Sequence, residues 1–147
     1  MTVLPGGLRS RRVSRGHADG ALELMAEYAH PSIDALRRHL KHKPDDGQVW
    51  MTLARALLEQ SPGPELSHAI GQCLRCLPDS HHAWTLAAAV QQRARGTEAA
   101  LRWLEDATAR NPYRPAPYLA LAKLRLTRLQ LVEALAAVNR AIEIAGE

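Results

Sequence analysis

Pro44, Pro78 and Pro112 are equally spaced along the chain; Trp50, Trp84 and Tyr118 keep the same interval, as do Ala54, Ala88 and Ala122. Three independent series sharing one period are hard to obtain by chance. A fixed internal period of about 34 residues marks a solenoid, in which each unit leaves an apolar side that its neighbour must cover. Composition says what the units are made of. Ala (25) and Leu (22) supply 47 of the 147 residues, Val, Ile and Thr together only 16, and Phe is absent. Helix-favouring residues dominate and strand-favouring ones are scarce, so an all-β fold is nearly excluded. The expected class is all-α.

Breakers divide each unit into two amphipathic helices. In the second unit, residues 48–60 and 64–76 are separated by Ser61-Pro62-Gly63, and Pro64 suits a first helical turn, where its missing N–H removes no bond. The third unit reads as helices over 81–95 and 97–110 with Gly96 at the turn, and the fourth as 116–128 and 131–145. The first is the least regular, with helices expected near 18–29 and 31–41. Residues 1–16 read as a flexible basic tail, and 17–147 as one repeat domain with units at about 17–46, 47–80, 81–114 and 115–147.

Trp50-x-x-Leu53-Ala54-x-x-Leu57 opens a unit, Leu66-x-x-x-Ile70 continues it and Pro78 closes it. The next matches at Trp84, Ala88, Ala100, Leu104, Ala107 and Pro112, and the last at Tyr118, Leu121, Ala122, Ala134, Val138 and Ala141, with Gly146 in place of the proline. The first unit offers Gly20, Ser32, Leu36 and Pro44. On these residues the chain resembles the tetratricopeptide repeat (TPR) family, strongly from residue 47 onward. It departs from the family's pattern at Ala87 and Gln91, where larger apolar residues are usual.

The resemblance implies a right-handed α-solenoid of about four helix–turn–helix hairpins. It also implies a concave groove, lined by the first helix of each unit, that binds an extended peptide or a partner's helix. By the family's register that groove holds Met51, Arg55 and Leu58, then His82, Thr85, Ala89 and Gln92, then Leu119, Lys123 and Leu126. The mixture is apolar with scattered cations. No Asn stands on these helices, so the Lys and Asn set that clamps a peptide's terminal carboxylate is missing.

Other candidate chemistry reads as structural. Cys73-x-x-Cys76 with His81-His82 offers four potential zinc ligands, yet the register puts Cys73 at a small buried position and Cys76 at an apolar one. No metal, redox role or cofactor is expected. His39 and His42 read as cations at the negative end of a helix dipole, and Asp45, Asp46 and Asp79 as carboxylates before helix starts. The chain contains no G-x-S-x-G, H-E-x-x-H, phosphate-binding glycine loop or G-x-G-x-x-G. No enzymatic activity is expected.

Charge is uneven along the chain. Arg9, Arg11, Arg12 and Arg15 account for the whole net charge of +4, and the remaining residues balance. The body therefore has no bulk pull toward nucleic acid or membrane. Ser10-Arg11-Arg12 has the start of a twin-arginine signal, but Asp19, Glu23 and Glu27 break up the apolar run such a signal needs. The longest uncharged stretch, residues 80–92, is too short and polar to span a bilayer. Two cysteines without a disulfide framework agree with a cytoplasmic location. The expected function is a non-enzymatic scaffold, adaptor or chaperone-like module with a protein or peptide partner. The alternatives are a nucleic-acid adaptor working through the arginine tail, or a recruitment subunit or fragment of a larger enzyme.

The last helix carries one more expectation. Leu131, Leu135, Val138 and Ile142 form a helical stripe expected to face its hairpin partner. Val132, Ala136, Ala137 and Ile144 then widen the apolar surface beyond what one neighbour covers, and the chain stops shortly after. Such a patch is expected to meet a second copy, a partner or further sequence.

Overall fold

The computed structural model describes residues 32–146, so the arginine tail, the helix expected over 18–29 and Gly20 lie outside the described residues. The described residues form seven helices and no strand: α1 (Ile33–His42), α2 (Gly47–Gln60), α3 (Pro64–Cys76), α4 (His81–Arg95), α5 (Thr97–Arg110), α6 (Pro115–Thr127) and α7 (Leu131–Gly146). Three hairpins, α2–α3, α4–α5 and α6–α7, stack in sequence order, and α1 precedes them and packs on α2. The architecture is an all-α helical-repeat solenoid.

Three helices, α1, α2 and α4, begin at a side chain that satisfies one of their first free N–H groups. Ser32 Oγ accepts from the Ala35 N–H at 3.1 Å, Asp46 from Val49 at 3.3 Å and Ser80 from Ala83 at 3.4 Å. Pro64 and Pro115 open α3 and α6. Gly96 alone joins α4 to α5, at φ +95°, a backbone conformation that disfavours any residue with a Cβ. Asp46 caps α2 as expected. Asp45 and Asp79 instead pair with Arg75 at 3.0 Å and Arg114 at 3.5 Å. His39 and His42 stand in the last turn of α1, as expected, and the His39 ring also lies 2.9 Å from the Asp46 carboxylate. That hydrogen bond holds Asp46 below the usual carboxylate range.

The proline and tryptophan series share one period for a physical reason. The Trp50 indole N–H donates to the Pro44 carbonyl at 2.7 Å, and the Trp84 indole N–H donates to the Pro78 carbonyl at 2.8 Å. Each ring thus ties the start of its hairpin to the turn before it, with its polar edge satisfied and its body available for packing.

Two cores run through the stack, and α4 belongs to both. Ala83, Leu86 and Ala87 join a cluster built from α1, α2 and α3, while Trp84 and Ala88 join a cluster built from α5 and α6. Trp103 packs against both clusters, with its ring centroid 5.9 Å from that of Trp84. Ala54, Ala88 and Ala122 are buried, as their role in close helix approach requires.

Gly47 marks the tightest approach. A Cβ there would stand 2.5 Å from Leu77 Cγ and 2.9 Å from Cys76 Cβ. Gly47→Ala is therefore expected to destabilise by about 1–3 kcal/mol, the usual cost of overpacking. Thermal unfolding followed by circular dichroism checks this, and an unchanged midpoint would show that the α2–α3 contact yields freely.

The last hairpin corrects one expectation. α7 buries Ala134, Ala137, Ala141 and Ile144, whereas Leu131, Leu135 and Ile142 are exposed at 61%, 60% and 63%. The bulky stripe thus faces away from α6. Small residues let the two backbones approach, as at Ala100 and Ala107, which stand one repeat before Ala134 and Ala141 and are equally buried. Val132 and Ala136 do lie on the uncovered side, but Ala137 and Ile144 belong to the packed face.

Candidate functional site

The first helices α2, α4 and α6 neighbour one another in succession and form one wall of the stack. Between α4 and α6 lies a cavity of about 230 Å³, lined by Thr85, Ala88, Ala89, Gln92, Ala120, Lys123, Leu124 and Thr127. Four of the groove residues expected from sequence, Thr85, Ala89, Gln92 and Lys123, thus come together. The other four liners, Ala88, Ala120, Leu124 and Thr127, were not among the groove residues expected from sequence. Ala88, Thr127 and Ala120 each lie three or four residues from a named position on the same helix, a signal that was available in the helical period.

The remaining expected positions spread outward from this cavity. Met51 is 8% exposed and belongs to the first core cluster, so it is not on the groove surface. Leu58 is half-buried and borders a separate cavity of about 350 Å³ with Pro62, Leu66, Val90 and Arg93. Its carbonyl accepts a hydrogen bond from Arg93 Nη1 at 2.8 Å, which joins α4 to α2. Arg55, His82, Lys123 and Leu126 are exposed, and Leu119 is half-buried.

The chemistry of the cavity depends on which groups are already engaged. The Thr85 hydroxyl donates to the His81 carbonyl at 2.8 Å and the Thr127 hydroxyl to the Leu124 carbonyl at 2.6 Å, so their protons are committed to the backbone. The Gln92 amide donates to Thr97 Oγ1 at 3.0 Å. Among the described residues, neither Lys123 nor Arg55 has a carboxylate within ion-pair distance. The cavity is therefore a short apolar pit of Ala and Leu with an ammonium group at its edge. Its volume falls below the roughly 300–1,000 Å³ usual for a small-molecule site, so it suits one side chain of a longer ligand.

Charge is sorted between the two sides of each hairpin. α2, α4 and α6 carry five cations, Arg55, Arg93, Arg95, Lys123 and Arg125, against the single carboxylate of Glu59. α3, α5 and α7 carry four cations against six carboxylates. The neutral total of the repeat body concealed this separation, because opposite faces cancel in a sum. Some of the wall is neutralised from behind, as where Arg125 meets Glu105 at 2.9 Å. At the start of α4 two histidine rings crowd together. The His81 and His82 ring centroids are 4.0 Å apart, and burial, then His82, then Lys123 push the His81 imidazole below its ordinary range, which favours its neutral form. The exposed cations Arg55 and Lys123, without a carboxylate in ion-pair distance among the described residues, are what favour an anionic visitor.

The cysteine and histidine motif does not assemble. Cys73 is fully buried, and burial pushes its thiol up to about 11, which keeps it protonated and unreactive near neutrality. Cys76 is half-buried, and both thiols are free. Among the described residues, no three His, Cys, Asp or Glu side chains converge as metal ligands. No helix among them is long and apolar enough to cross a membrane.

No protein-family model matches the chain, and no curated protein matches it. Among solved structures it is similar to a crystal structure of MamA, at 16% identity and a TM-score of 0.49, covering 82% of this chain and 72% of that one. A second structure, of MamA protein, aligns at 16% identity and a TM-score of 0.47, covering 84% and 67%.

Proposed function

We propose that this chain is a non-enzymatic protein-interaction module whose first-helix wall takes an extended, acidic segment of a partner protein. The observation that carries the reading is the cavity between α4 and α6. A pit sized for one side chain stands beside Lys123, and among the described residues neither Lys123 nor Arg55 on the same wall has a carboxylate within ion-pair distance. An extended segment can set a small apolar side chain into the Ala-lined pit while a neighbouring carboxylate meets Lys123. A second carboxylate further along would meet Arg55. The stacked hairpins supply a rigid surface, so ordering falls mainly on the bound segment.

A panel of labelled, extended peptides of graded charge, read by fluorescence anisotropy, tests this. Acidic peptides with small apolar residues are expected to bind and basic ones not. Arg55→Glu with Lys123→Glu is expected to weaken binding by about tenfold or more, since each charge-assisted hydrogen bond is worth roughly 1.5–3 kcal/mol. Both side chains are exposed, so helicity should be unchanged. If the double variant bound normally and deletion of residues 1–16 abolished binding, the site would move to the arginine tail and the groove reading would fall.

A further inference from the structure

A cavity of about 190 Å³ between α1, α2 and α3 shares no residue with the one in the first-helix wall. Leu40, Trp50, Leu53 and His68 line it, together with the charged side chains of Arg37, Lys41 and Glu65. A cavity of roughly 150 Å³ with apolar walls is enough to take one benzene ring. The Trp50 indole N–H is committed to the Pro44 carbonyl, so the ring presents only its π surface to a visitor.

The repeat shows what fills the equivalent place. Leu74 and Trp84 stand one repeat after Leu40 and Trp50, and there Trp103 packs into the core with its ring centroid 5.9 Å from that of Trp84. The position one repeat before Trp103 is Ala69, a fully buried methyl group. Leu53 in place of Ala87 recovers part of the missing volume, and the cavity is what remains. His68 meets Trp50 edge-on at 5.4 Å between centroids, yet it is exposed and leaves the space open. The second unit thus lacks a ring that the third carries on its own chain.

Charge decides what should accompany a visiting ring. The Arg37 Nε donates to Glu65 at 2.8 Å and its Nη1 donates to Asp34 at 2.9 Å, so this guanidinium and both carboxylates are already matched. Lys41 is different. It is exposed and, with Arg38 one turn earlier on α1, has no carboxylate within ion-pair distance among the described residues. We propose that this cavity docks an aromatic side chain presented by an acidic segment of a partner protein. The ring packs against Trp50 where the third unit sets Trp103, and a carboxylate beside it meets Lys41. This site stands apart from the first-helix wall and holds or fails independently of it.

Nuclear magnetic resonance on the isotope-labelled 147-residue chain, titrated with the blocked peptide Gly-Glu-Phe-Glu-Gly to ~1 mM, tests the proposal. The Trp50 indole N–H signal is expected to move and saturate, while the Ala89 and Lys123 amides stay still. Replacing the peptide's Phe by Ala, or its Glu residues by Lys, should weaken binding about tenfold or more, as should Lys41→Glu. His68→Trp, at an exposed site, should fill the cavity and abolish binding with the helical spectrum unchanged. Arg55→Glu with Lys123→Glu should leave this binding intact, which separates it from the wall. A Trp50 signal that never moves would overturn the proposal, as would equal binding of the ring-less or basic peptide. So would normal binding by Lys41→Glu or His68→Trp. A response seen only after Tyr28→Ala would give the cavity to the chain's own segment instead, and free phenylacetate binding as tightly as the peptide would give it to a small molecule.

Discussion

Trp84→Ala is expected to destabilise the fold by about 3–5 kcal/mol, the range for truncating a buried tryptophan. The ring is 8% exposed and joins the α4–α6 core, while its indole N–H donates to the Pro78 carbonyl. Truncation opens a cavity beside Trp103, leaves that carbonyl without its partner and loosens the turn between the second and third units. Because α4 serves both cores, the damage reaches hairpins on either side. Trp50→Ala should cost less, since Trp50 is only half-buried, with its ring in a T-shaped contact with His68 at 5.4 Å between centroids. Urea unfolding followed by circular dichroism measures both. An unchanged midpoint for Trp84→Ala would mean that this ring does not join the hairpins.

The second large effect is a contrast between equivalent positions. Leu101 and Leu135 occupy the same place in successive units, yet are 6% and 60% exposed. Leu101→Ala is expected to cost about 2–5 kcal/mol, and Leu135→Ala no more than about 0.5 kcal/mol when measured dilute. The difference isolates what a covering hairpin contributes, because the local helix chemistry is alike. Equal costs at the two positions would show that α6 does not protect Leu101.

Helix boundaries were legible in the sequence to within two residues wherever a cap or breaker stood: Ser61-Pro62-Gly63, Gly96 and Ser80 each lie at an element's end. Local chemistry governs those positions, since a proline or a capping hydroxyl acts within one turn of the chain. The groove was half legible. Period and resemblance together brought out Thr85, Ala89, Gln92 and Lys123, which do line one cavity. They also brought out Met51, which lies buried in the first core.

The orientation of α7 was not legible from hydrophobicity. Its bulkiest stripe invites an inward reading, yet the inner face is Ala134, Ala137 and Ala141. Helix period alone says only which residues share a face. Which face turns inward depends on how closely two backbones must approach, and here that distance calls for alanine. The sorting of charge was hidden for a similar reason. A sum over the repeat body is zero, and it separates only when α2, α4 and α6 are known to form one wall. By itself, then, the chain's sequence determined the repeat, its period and its helices, because those arise from neighbours in the chain. Tertiary structure decided which helix faces are covered, where the cavity lies and which cations lack a counter-charge, because those depend on contacts between residues a full repeat apart.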